Sequence, residues 1–261
     1  MRNIFVAIFV LMTLFVSCNE DEVKIDEESE QPVLIQISVI DALLQGIYDG
    51  YFPINQLPEI GDVGIGTFNG LDGEMIFYND TVFQVVSTGE VKIPSGNVLT
   101  PFAAVTNWVT DTTFALNNTS FELLKSSFSS YFPTPNIFYA VKIKGEFSYM
   151  KTRSVPKQEK PYLPLTEVTK NQPEFEFHNT KGVVIGFYCP AYASGINVTG
   201  FHLHFLTDDR KGGGHILEYQ LKSGTMELCY LFDYQLILPE GGDFFGGDFT
   251  VDRTDDVEDV E

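Results

Sequence analysis

The chain has 261 residues, enough for one large domain or two small ones around a true hydrophobic core. Its composition, 44% hydrophobic and 20% charged, is that of a folded globular protein and excludes wholesale disorder. A formal charge of -20 sets it against phosphate backbones and excludes nucleic acid as a partner; otherwise the charge serves solubility. The 23 Phe and 12 Tyr, together with many β-branched residues, favour a strand-rich fold.

The first element is an apolar run over residues 4–16, behind Met1-Arg2-Asn3. At about 13 residues it is too short to span a bilayer and suits the hydrophobic core of a signal peptide. It ends in Ser17-Cys18, which resembles a bacterial lipobox, so residues 1–17 are expected to be removed and Cys18 to carry lipid. Residues 18–32, mostly acidic or polar, read as a solvated tether. The expected location is therefore outside the cytoplasm, as a membrane-anchored lipoprotein in the periplasm or at the cell surface.

The folded part is expected to start near Val33. Ile40, Leu43, Leu44 and Ile47 are spaced for a helix over Ser38–Tyr48, with Ser38 as its cap. Short runs at Gly64–Phe68, Glu74–Tyr78, Val82–Val86 and Glu90–Ile93, separated by Gly, Asn and Asp, read as a meander. A strand is predicted over Trp108–Leu116, a second helix over Ser120–Ser130, and a long strand over Phe138–Met150. Four prolines punctuate residues 155–175, which makes this loop the expected crossing between domains. Strands follow at Gly182–Cys189, Gly200–Leu206, Ile216–Lys222 and Leu228–Leu238. Cys189 and Cys229 remain after Cys18; a disulfide and two buried thiols are both open. On charge alone, the acidic stretch Asp248–Glu261 reads as a disordered tail.

Phe201–Leu217 (FHLHFLTDDRKGGGHIL) carries the chemistry. On a strand, His202 and His204 project from the same face. The Gly-rich connection before His215 suits a chain reversal that brings a third imidazole beside them. One His-x-His on a strand is usually satisfied by local hydrogen bonds; a third His across a glycine turn points instead to a metal. Neutral imidazoles suit zinc, and three protein ligands with an open position make a catalytic pattern. Two further segments stand out: GIGTFNGLDGEM (Gly64–Met75), with Glu74 after its turn, and Lys151-Thr152-Arg153-Ser154, where Arg153 is placed to bind a carboxylate. His178 lies apart in a polar stretch and is assigned no role.

These segments in this order, with LLQGIYDGY (Leu43–Tyr51) and Thr100-Pro101-Phe102-Ala103, resemble the alpha-acetolactate decarboxylase family from Val33 to the C-terminus. The resemblance implies an α+β, strand-rich fold of two domains, each built on a β-sheet. A mixed sheet is expected over residues 33–155 and an antiparallel, metal-binding sheet over 156–261. It implies Zn2+ on His202, His204 and His215, with Glu74 and Arg153 in the active site. A further Glu comes from a C-terminus that folds back over the site, Glu261 by spacing, with Glu258 the alternative. Glu218 stands where the family pattern usually has Asp.

The implied substrate is a 2-hydroxy-3-oxo acid, 2-acetolactate, decarboxylated to acetoin through an enediolate held by zinc. The proton donor is left open between Glu74 and Arg153, and a homodimer is the expected assembly. Two alternatives are a non-catalytic zinc-binding surface lipoprotein on the same scaffold and a cupin-like metal oxygenase.

Overall fold

The pleat of the β-branched and aromatic runs builds two large sheets and one small sheet of two strands. The computed structural model describes residues 31–260, apart from the side chain of Glu258. The signal segment, nearly all of the tether, and Glu261 lie outside the described residues.

The N-terminal elements are β1 (Val33–Ile37), α1 (Ile40–Leu44), β2 (Phe52–Pro53), β3 (Val63–Thr67), β4 (Glu74–Tyr78), β5 (Thr81–Val85), β6 (Val91–Lys92), β7 (Leu99–Thr100) and β8 (Ala103–Thr106). There follow β9 (Thr112–Ser120), α2 (Phe121–Ser126), α3 (Phe128–Tyr131), β10 (Phe138–Arg153), α4 (Leu165–Val168) and β11 (Glu174–Cys189). The chain ends with β12 (Gly200–Thr207), β13 (Gly213–Leu231), β14 (Asp233–Ile237) and α5 (Thr254–Val260).

The first sheet runs β14-β1-β8-β3-β4-β5-β6. It is mixed, because β14 pairs parallel to β1 while its other ladders are antiparallel. The second sheet is antiparallel throughout. Its strands β10, β11, β12 and β13 pair in turn, and β13 pairs back onto β10, closing a ring that β9 extends. Closure leaves those four strands few free backbone groups and fixes their register.

Alternation along the second sheet decides what meets what. In β11, Val183, Ile185, Phe187 and Cys189 pack in one core with Leu34, Ile65, Ile76 and Val85 of the first sheet. In β12, Leu203 and Phe205 enter a separate core with Phe147, Tyr219 and Leu221. His202, His204 and Leu206 therefore project from the opposite face of β12. Phe147 is fully buried, with its ring edge against Phe205 and Tyr219 at centroid separations of 5.3 and 5.7 Å. Phe147→Ala is expected to lower stability by about 3–5 kcal/mol; urea unfolding followed by circular dichroism checks it.

Several expectations shift. Ser38 does not cap α1. It has φ 61°, and its N–H donates to the Ile237 carbonyl at 2.8 Å, so it serves the junction with β14, and the helix begins at Ile40. The strand expected over Trp108–Leu116 lies at Thr112–Ser120, because the Trp108 N–H donates to the Asp62 carboxylate at 2.7 Å and not to a neighbouring strand. The proline-rich loop joins β10 to its neighbour β11 and does not cross between sheets; that change falls between β8 and β9, and β14 then returns to the first sheet. The acidic tail is not disordered through residue 260: Asp252 accepts from the Thr254 N–H at 3.0 Å, and α5 buries Val257 and Val260. Cys189 and Cys229 are buried free thiols, both pushed up in pKa by burial.

Candidate metal centre

Strand register assembles the site. His204 of β12 lies directly opposite His215 of β13, and His215 lies opposite Arg153 at the end of β10. Directly opposed antiparallel residues share a face, and His202 shares it by alternation. One potential ligand atom from each of the three imidazoles lies within 4.8 Å of the others, and all three side chains are buried. Gly214 makes the approach to His215 feasible. Its φ is +129°, and a Cβ there would stand 2.4 Å from the Arg153 carbonyl oxygen.

The first sheet supplies the orientation. His204 Nδ1 stands 2.8 Å from the Met75 carbonyl of β4. A carbonyl only accepts, so Nδ1 carries the hydrogen and Nε2 presents its lone pair. That Nε2 is buried without a hydrogen-bond partner, and a Glu74 carboxylate oxygen lies 3.4 Å away. Burial holds His204 neutral, lowering its pKa to about 4 against a raising bond from Met75. Burial also carries His202 and His215 well below their usual values, helped by Arg153 and by the neighbouring imidazoles. Three converging neutral imidazoles, one with an orphaned nitrogen, are what a borderline divalent ion such as zinc requires.

Glu74 opens β4 after a turn that needs glycine. Gly73 has φ +82°, and a Cβ there would meet the Val85 carbonyl at 2.2 Å. Thr67 Oγ1 donates to the Gly73 carbonyl at 2.7 Å, and Gln84 Nε2 donates to the Asp72 carbonyl at 2.6 Å, so the turn is held from both sides. Burial raises the Glu74 pKa to about 7, with Arg153 pulling the other way. Arg153 is itself buried, and its Nη2 donates to the carbonyl of Val260 in α5. Ser154 beside it donates to the Val85 carbonyl at 2.7 Å, pinning the strand end to the first sheet.

Glu74, Arg153, His202 and His215 line one cavity of about 50 Å³. That is far below the roughly 300–1,000 Å³ of sites for drug-sized ligands, so the cavity suits a compact molecule. Its walls are apolar through Leu43, Leu71, Phe102, Leu165 and Val260, with Thr67, Thr169 and Gln172 as further polar groups. Gln172 and Val260 sit outside any spaced motif of the sequence, and Thr67, inside the Gly64–Met75 segment, carries no signal of its own there. His178 is exposed on β11, 3.7 Å from Glu176 and apart from the site. Of the C-terminal candidates, Glu261 and the Glu258 side chain fall outside the described residues.

The profile of the family described as alpha-acetolactate decarboxylase matches residues 34–251. A protein of that name from Methanosarcina mazei is 44% identical over 230 residues, 88% of this chain and 80% of its own length. One from Bacillus subtilis is 38% identical over 237 residues, 90% of this chain and 92% of its own. The crystal structure of alpha-acetolactate decarboxylase from Bacillus subtilis strain 168 superposes with a TM-score of 0.85 at 38% identity, covering 87% of this chain and 98% of that one. With a profile match over most of its length and a relative 44% identical over 88% of it, the chain belongs to the alpha-acetolactate decarboxylase family.

Proposed function

We propose that this chain decarboxylates 2-acetolactate to acetoin at a zinc-dependent site. The observation that carries the reading is the convergence of three buried imidazoles, two of which line one small cavity with Glu74 and Arg153. His202, His204 and His215 would hold the ion. When bound, zinc supplies Lewis acidity toward the substrate's oxygens.

The chain's own groups account for the rest. The bond between C2 and the carboxylate carbon breaks, CO2 leaves, and the electron pair passes to C2 and the adjoining carbonyl. One proton added to carbon then gives acetoin. Arg153 presents fixed donors to the anionic substrate and to the charge left behind. Glu74 is the one carboxyl lining the cavity among the described residues, which makes it the group that exchanges the proton. The apolar wall takes the methyl groups and limits water at the reacting carbon.

Supplying racemic acetolactate should release acetoin and CO2 in equal amounts; CO2 without acetoin, or neither, overturns the reading. Glu74→Gln is expected to lower kcat about 10²-fold with bound metal unchanged, as steady-state rates beside metal analysis would read. No structural observation favours the oxygenase or the non-catalytic alternative.

The anchoring at Cys18 is also proposed, on the apolar run and Ser17-Cys18. Among the described residues no helix is long and apolar enough to cross a membrane. Radiolabelled palmitate is expected to enter the wild-type chain in cells and not Cys18→Ala; equal labelling contradicts the assignment.

A further inference from the structure

Among the described residues, four buried side-chain atoms have no hydrogen-bond partner, and two of them belong to this site. One is His204 Nε2, which the metal answers. The other is Gln172 Oε1, from a residue in the cavity wall that also holds Glu74, Arg153 and two of the histidines. The backbone fixes Gln172 from both sides. Its N–H donates to the Thr169 carbonyl at 3.3 Å, closing the turn after α4, and the following Pro173 carbonyl accepts from Ser154, next to Arg153, at 3.2 Å. A buried acceptor without a donor is costly to keep, and a ligand donor would complete it.

We propose that Gln172 Oε1 accepts a hydrogen bond from the substrate's 2-hydroxyl, and that Gln172 thereby selects 2-hydroxy-3-oxo acids over 3-oxo acids that lack the hydroxyl. The assignment rests on the acetolactate reading above. The ionised substrate has a carboxylate and a ketone, which only accept, and one donor, the hydroxyl. Arg153 offers only donors and addresses the first two. Gln172 offers the acceptor, and its amide does so without adding negative charge to a cavity that must admit an anion. Sites built to bond a hydroxyl reject analogues without it, because the site's polar group is then stranded.

The test uses the metal-loaded enzyme and two inert ligands, 2-hydroxyisobutyrate and 2,2-dimethylpropanoate. They share a carboxylate and branching and differ only in hydroxyl against methyl. Calorimetric affinities give a preference ratio for each protein, and any contribution of the metal to that ratio is common to all of them. Gln172→Met should lower the ratio about tenfold. Gln172→Glu, which keeps an acceptor and has no N–H, should retain it even if both affinities fall. Thermal unfolding of each variant checks that it is folded.

An unchanged ratio in folded Gln172→Met overturns the assignment, as does an equal collapse in Gln172→Glu, which would mark the amide as a donor. A wild-type enzyme that releases acetoin while Gln172→Met keeps its ratio refutes Gln172 alone. A wild-type enzyme that releases no acetoin refutes the acetolactate reading, and the assignment with it.

Discussion

His204→Ala is expected to remove bound metal and to reduce acetoin formation by at least about 10⁴-fold, the several kcal/mol that a Lewis-acid centre contributes to the barrier. Three features make this imidazole the most telling of the three. Its side chain is fully buried, Met75 fixes its tautomer from the other sheet, and its orphaned Nε2 faces the site. The substitution also removes the hydrogen bond to the Met75 carbonyl, which should cost about 0.5–1.5 kcal/mol of stability. Melting temperatures must therefore accompany the metal and rate measurements. His178→Ala is the matched control: that side chain is exposed, and neither metal nor turnover should change.

Arg153→Ala is expected to lower kcat by about 10³-fold, in the range seen when a preorganised donor to developing negative charge is removed. Bound metal should stay near its wild-type level, because the three imidazoles do not depend on the guanidinium for their placement. Arg153→Lys should recover little of the loss, since an ammonium is a point charge without the planar fork of donors. Arg153 also donates to the Val260 carbonyl, so either variant should loosen α5 against the site. Faster hydrogen exchange in residues 254–260, read by mass spectrometry beside the rates, checks that second effect. Loss of metal in Arg153→Ala would instead mark the arginine as a support for the ligands.

The sequence carried the centre of the site well and its rim poorly. His202, His204 and His215 were legible because strand alternation and a glycine turn are local rules, and the paired register obeys them. Glu74–Tyr78 is bounded by a glycine-rich turn and by Asn79-Asp80, so its strand falls where the pattern puts it. Arg153, Glu74 and the returning C-terminus gained meaning only from the family resemblance, since each alone looks like a solvated charge. What had no local signal was long-range. The parallel pairing of β1 with β14 brings residues 233–237 back to the first sheet, and Ser38 takes its left-handed conformation at that junction. Gln172 sits in a proline-rich connector without periodicity, where nothing in the neighbouring residues says which side chain turns inward. The tail misleads on charge because two valines, Val257 and Val260, outweigh the acidic face that surrounds them.

If the three histidines hold the ion on which turnover depends, metal content and activity must move together. The most direct measurement strips the full-length chain with a chelator, adds zinc back in steps, and follows bound metal and acetoin release together. Both should rise in parallel and level off at about one zinc per chain, with His204→Ala recovering neither. Full acetoin release from the stripped chain, or from His204→Ala, would contradict that dependence.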